Sequence, residues 1–158
     1  MSKTTRATQM LTKASVAFST VTYEYDPNAD RIGLQAAEAI GAAPHLVLKT
    51  LMAEVDGKAV CVVVPSDCEV SMKKLAAAFS GKSANMMKPA DAERATGYHV
   101  GGISPFGQKK LVPTAMEARS LAHEYVYING GQRGLQLRLS PEDAQAVLKA
   151  VIVPLVAE

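Results

Sequence analysis

The chain has no tryptophan, two cysteines, three histidines and a formal net charge of only +2 across 158 residues. Each scarcity removes a class of function. Cys61 and Cys68 do not form a CxxC pair, and His45, His99 and His123 are scattered, so neither a metal site nor a disulfide framework is expected. A nearly balanced charge sets up no global field for nucleic acid, which leaves a local basic face as the electrostatic route to one. No apolar run is long enough to span a bilayer, and the N-terminus, Met1 to Arg6, lacks the apolar core of a signal peptide; a cytoplasmic location is expected. GxSxG, P-loop, Rossmann and Ser-His-Asp signatures are all missing.

What remains is an ordinary globular composition of a length suited to one domain, residues 1–158. Helical spacing runs from Thr4 to Ala14, and strict alternation from Ala17 to Tyr25 predicts a strand. A second helix is expected over Ile32 to Ile40, closed by Gly41. Asp56-Gly57 between two apolar runs is the clearest hairpin signal in the chain. Its returning strand, Ala59 to Val64, is apolar on both faces, so it is expected at the centre of a sheet with Cys61 buried in it. Ser71 caps a helix reaching about Phe79. A short strand follows near Ala84 to Met87, then a helix from Pro89 to Ala95. Helix is expected again over Glu117 to His123, strands over Glu124 to Ile128 and Leu135 to Leu139, and a last helix opened by Ser140-Pro141. This mixture predicts an α+β domain around a mixed sheet.

Two features stand out chemically. The stretch from Thr96 to Lys110 is rich in glycine and proline, and Gly101-Gly102-Ile103-Ser104 offers main-chain N–H groups with little side-chain cover. Such groups can bind a carbonyl oxygen or an oxyanion; a tight crossover loop is the structural alternative. Lys49 interrupts an otherwise apolar strand, on the face of Val47 and Leu51. A cation there either positions an anionic or ester group, or is an edge lysine whose stem snorkels to water. Tyr23, with Tyr25, either walls a pocket or simply packs in the core.

Taken together, Thr22-Tyr23-Glu24, Leu48-Lys49-Thr50-Leu51, Thr96-Gly97-Tyr98 with Gly101 to Lys110, and Gly130-Gly131-Gln132-Arg133-Gly134-Leu135 resemble the YbaK family of free-standing aminoacyl-tRNA deacylases. That family is related to the editing domain of bacterial prolyl-tRNA synthetases. The resemblance implies a barrel-like mixed sheet of six to seven strands and hydrolytic removal of a wrong amino acid from tRNA, cysteine on tRNA(Pro) foremost. No cofactor or metal is implied, and prolyl-tRNA synthetase is an implied partner. It casts Lys49, Gly101 and Gly102 as catalytic and Tyr23, Ile32, Thr50, Ile103, Ser104, Pro105, Asn129 and Gln136 as substrate-binding. Lys109, Lys110 and Arg133, with Lys73, Lys74, Lys82, Lys88 and Arg94, either form a basic rim or are scattered surface charge; the first three are the candidate tRNA contacts. The chain departs from the cysteine-specific pattern at Ile32, Asn129 and Gln136, where phenylalanine, serine and aspartate are expected. Serine, threonine and alanine are therefore alternatives to cysteine, and a non-catalytic tRNA- or synthetase-binding module is the alternative class.

Overall fold

The structure, a computed structural model, describes residues 4–28 and 32–157, and of Ile32 the backbone alone. Helix α1 (Arg6–Lys13) opens with a capping box in which Thr5 and Thr8 satisfy each other's backbone N–H groups. Strand β1 (Phe18–Thr22) stops short of the alternating run because its partner strand begins at Leu135, opposite Thr22. Helix α2 (Ile32–Ile40) ends at a left-handed Gly41, as its sequence predicts. A 3-10 turn at Pro44–Leu46 leads into β2 (Val47–Val55). Asp56 and Gly57 take φ of 51° and 80°, the two positive values of a type I′ turn, and return the chain along β3 (Lys58–Pro65).

Ser71 caps α3 (Met72–Ala78), and β4 (Ala84–Met86) and α4 (Pro89–Thr96) follow, the latter ended by Gly97 in the left-handed region. After the Gly/Pro loop the chain forms β5 (Thr114–Glu117) and a 3-10 segment, Ala118–Ala122, where a helix from Glu117 is expected. The remaining elements are β6 (Val126–Asn129), β7 (Leu135–Leu139), α5 (Pro141–Leu148) and β8 (Val151–Val153). The strands make one eight-stranded mixed sheet in the order β1-β7-β6-β2-β3-β5-β8, with β4 pairing β2 off this path. The α+β class and the mixed sheet match the expectation. The count exceeds six to seven because β5 and β8 are short and lack an alternating pattern of their own.

β3 lies at the centre, antiparallel to β2 and parallel to β5. Cys61 and Val63 join one core cluster with Leu48, Met116, Ile128 and Leu137, under α1 and α5. Val60, Val62 and Val64 join a second cluster on the opposite face with Leu75 and Ala76 of α3. Burial on both faces explains the unbroken apolar run, each fully buried valine contributing about 1.5–3 kcal/mol. Cys61 is fully buried, which pushes its thiol pKa up to about 12. No helix among the described residues is long and apolar enough to cross a membrane.

The segment after β8 is fastened by one carboxylate. Glu117 Oε1 accepts the N–H groups of Leu155 (2.7 Å) and Val156 (3.1 Å), while Oε2 accepts that of Arg119 and faces its guanidinium at 3.5 Å. Burial pushes the Glu117 pKa up, but these donors together hold it below the ordinary 4.5. A depressed folded-state pKa gives stability that is full above the unfolded value and vanishes as pH falls through the folded one. Glu117→Gln is expected to lose about 1–2 kcal/mol at neutral pH. In denaturant titrations its deficit against the parent should shrink as pH drops below 4.5. A deficit constant with pH would mean that the carboxylate charge contributes nothing.

Candidate active site

A break in the sheet holds a cavity. β3 accompanies β2 along one whole edge, from Leu48↔Pro65 to Val55↔Lys58. The other edge is divided: β6 pairs only with Val47 and Leu48, and β4 only with Ala53 to Val55. Between them, no described strand covers the edge of β2. A cavity of about 400 Å³ occupies this break, lined by all residues from Val47 to Met52. Met86 and Met87 wall it on the β4 side, Asn129 and Gln136 on the β6–β7 side, and Gly101 and Ile103 contribute from the Gly/Pro loop.

Backbone direction across the break follows from its two ends. The Val47 carbonyl turns toward the β3 side, where it accepts from Ser66 N, and the Met52 carbonyl turns the other way, to Met87 N. Thr50 alternates in step with Met52, so its N–H and C=O point into the break.

Lys49 and Gly101, from distant parts of the sequence, thus meet at one cavity, as do Thr50, Ile103, Asn129 and Gln136. Lys49 is half-buried opposite Val64, and its ammonium has no hydrogen bond or ion pair with any described residue. The other ionisable side chain lining the cavity is Glu69. Asn129 ties the walls together: Nδ2 donates to Gly101 O at 3.3 Å, and Oδ1 accepts the N–H of Gly131 at 2.7 Å.

Gly102 differs from its neighbour. Its N–H is spent on His99 O at 2.8 Å, so it is not a free oxyanion donor, and it does not line the cavity. Its role is steric: an added Cβ would lie 2.7 Å from Arg133 N, so glycine there allows two backbones to touch. Ser104 and Pro105 are buried away from the cavity, contrary to their expected contact with substrate. The Ser104 hydroxyl accepts the Phe106 N–H and its carbonyl accepts Gln108 Nε2 at 3.0 Å, so both bonds brace the loop from inside.

Tyr23 packs on α2 with Ala36, Ala37 and Val47 rather than lining the cavity itself. Burial raises its pKa, with Gln136 and the Gly134 backbone pulling the other way. The Tyr23 hydroxyl, the Thr50 hydroxyl and Gln136 Oε1 are nonetheless buried without a well-formed hydrogen bond among the described residues. Two of these residues, Thr50 and Gln136, line the cavity; the Ser120 hydroxyl is a fourth such group and does not.

Ile32 opens α2, and its side chain lies outside the described residues. Lys109, Lys110 and Arg133 are exposed. Two further side chains meet the loop, Glu93 and Tyr25. Glu93 on α4 accepts the Val100 N–H at 2.8 Å and faces His99 Nδ1 at 3.6 Å. The Val100 bond is the main cause of its lowered pKa, helped by His99 and Arg133 against some desolvation. Tyr25 lies against Gly101, where any Cβ would collide with its ring.

The profile of the aminoacyl-tRNA editing domain family matches residues 26–147. Over 141 residues the chain is 33% identical to EbsC of Enterococcus faecalis, a candidate Cys-tRNA(Pro)/Cys-tRNA(Cys) deacylase, covering 87% of this chain and 84% of that protein. It is 29% identical over 87 residues to a proline–tRNA ligase of Acidithiobacillus ferrooxidans, a match to 55% of this chain and 15% of the ligase. Among solved structures, a candidate trans-editing enzyme for prolyl tRNA synthetase superposes with a TM-score of 0.81 at 20% identity, over 97% of this chain and 96% of its own. A hypothetical protein of known crystal structure superposes with a TM-score of 0.85 at 20% identity, over 97% of this chain and 100% of its own. At such identities these two likenesses concern the fold.

Proposed function

The chain belongs to the aminoacyl-tRNA editing domain family, and from that premise we propose that it is a trans-editing deacylase whose foremost substrate is cysteine mischarged on tRNA(Pro). The observation that carries this reading is the convergence of an unpaired ammonium, Lys49, and the glycine Gly101 on one cavity bordered by unsatisfied polar groups. The 3′-terminal aminoacyl ester would enter the break in the sheet. Lys49 would hold the ester or the terminal phosphate, and the Gly101 N–H, which has no partner among the described residues, would receive the carbonyl oxygen. Whether water or the substrate's own thiol attacks, the carbonyl carbon becomes tetrahedral and its oxygen gains negative charge. Collapse then expels the ribose oxygen. The protein's share of the rate is positioning and charge stabilisation. Lys109 and Lys110 are the candidate contacts to the tRNA backbone, and prolyl-tRNA synthetase is the candidate source of the mischarged product.

The need for such an enzyme is physical. A hydrophobic pocket separates substrates that differ by one methylene by only about 1–3 kcal/mol, so a proline site admits other small amino acids and a second sieve must clear them. Tyr23, Ile32, Asn129 and Gln136 would shape that sieve. A second reading, serine or threonine as the amino acid removed, is favoured by one observation. The Thr50 and Gln136 side chains on the cavity wall suit a hydroxyl better than a thiol, which is a weak hydrogen-bonding group.

The test is a deacylation panel with cysteine, serine, threonine, alanine and proline, each on tRNA(Pro) and on its cognate tRNA. Fastest clearance of Cys-tRNA(Pro) is expected. Faster clearance of the seryl or threonyl ester would select the second reading. Binding of tRNA with no ester cleaved anywhere in the panel would replace the enzyme with a non-catalytic binding module.

A further inference from the structure

The turn that carries Gly101 can exist in two forms, and its own residues do not choose between them. His99 O accepts the Gly102 N–H, so residues 99–102 form a β-turn with Val100 and Gly101 at its centre. Gly101 has a φ of 94°, and Val100 is not among the residues of positive φ, which makes the turn type II. Types I and II differ by rotation of the central peptide, here the Val100 C=O with the Gly101 N–H. Glycine accepts either sign of φ. Some other group must hold the peptide in place.

Arg133 is that group. Its Nε donates to Val100 O at 2.9 Å, and its guanidinium lies 5.3 Å from the centre of the Tyr25 ring that abuts Gly101. In a trans peptide the C=O and N–H point in opposite directions. Seating Arg133 on the Val100 oxygen therefore aims the Gly101 N–H away from Arg133, and a cation on the carbonyl end makes the N–H at the other end a stronger donor. Glu93 on the Val100 N–H and Asn129 on the Gly101 oxygen fix the flanking peptides. The middle one depends on Arg133.

We infer that Arg133 is a positioning residue for deacylation: it locks and polarises the Val100–Gly101 peptide so that the Gly101 N–H meets the substrate carbonyl. This rests on the deacylase reading and departs from the expectation that Arg133 contacts tRNA.

Arg133→Lys and Arg133→Gln separate the two roles. On Cys-tRNA(Pro), both variants are expected to lose about tenfold or more in kcat, since losing an oxyanion donor outright costs about 10²–10³. KM should stay within about twofold of the parent, with the salt dependence of binding unchanged. Lysine keeps the charge but cannot reproduce the geometry of Nε, so it should perform no better than glutamine. A raised KM with kcat preserved, or full activity in the lysine variant, would overturn the inference in favour of a tRNA contact. A second readout does not need turnover: the Gly101 amide resonance in a ¹⁵N-labelled sample should shift in both variants. An unshifted Gly101 amide would overturn the peptide lock even if the parent cleaved no ester in the panel, whereas a silent panel alone would strike the deacylase reading.

Discussion

Lys49→Ala is expected to lower the rate of ester cleavage by at least about 10²-fold, a loss on the scale of removing one charge-stabilising group from a preorganised site. The protein should melt at nearly the parent temperature. Both expectations follow from the same environment. The Lys49 ammonium forms no ion pair or hydrogen bond with a described residue, so deleting it orphans no partner in the fold. Lys49 is half-buried on β2 and lines the cavity, where a ligand's negative charge can meet its ammonium. Single-turnover hydrolysis of preformed Cys-tRNA(Pro), with circular dichroism melting of the same sample, measures both. A well-folded alanine variant that cleaves at the parent rate would remove Lys49 from the chemistry.

Gly101→Ala should be nearly as damaging to activity, and it should also cost stability. At a φ of 94° an alanine is strained, and its Cβ would lie 2.9 Å from Cζ of Tyr25. The strain costs on the order of 1–3 kcal/mol. The turn can relieve it by rotating the central peptide toward the type I form, which turns the Gly101 N–H away from its present direction. A rate loss of about 10²–10³ is the expected consequence. Combining the change with Tyr25→Ala relieves the collision but not the backbone strain. The double variant should therefore recover part of the stability and little of the rate, read by urea unfolding beside single-turnover kinetics. Recovery of the rate in the double variant would show that Tyr25 crowding, not peptide orientation, limits Gly101→Ala.

Much of the scaffold was legible from local chemistry because the signals there are short-range. Asp56-Gly57 needs no neighbours to specify a hairpin, and Ser71 and Ser140 cap their helices through their own hydroxyls. β5 and β8 escaped because their identity as strands is conferred by the strands they join, β3 and each other. At the site, Lys49 was visible as a cation in an apolar strand and Gly101 as part of a bare diglycine. The division of labour between Gly101 and Gly102 was not visible. It depends on which N–H is spent on His99 and on how close the Gln132–Arg133 backbone comes, neither of which leaves a mark in residue type. The placing of Ser104 and Pro105 off the cavity was hidden for a related reason, since a motif residue that braces a loop and one that touches a ligand look alike in one dimension. Glu93 lies seven residues before the amide it holds, on an exposed helix surface where one carboxylate resembles any other.

The divided edge of β2 separates durability from selectivity. The long hairpin and the strands beyond it carry the two cores, while the walls that would contact the amino acid belong to brief segments flanking the opening, Met86 and Met87 on one bank and Asn129 and Gln136 on the other. Those wall residues stand outside the cluster built on Val60, Val62 and Val64. Asn129 and Gln136 are buried, and Asn129 also holds the Gly101 carbonyl, so a change on that bank reaches the loop that carries the candidate donor.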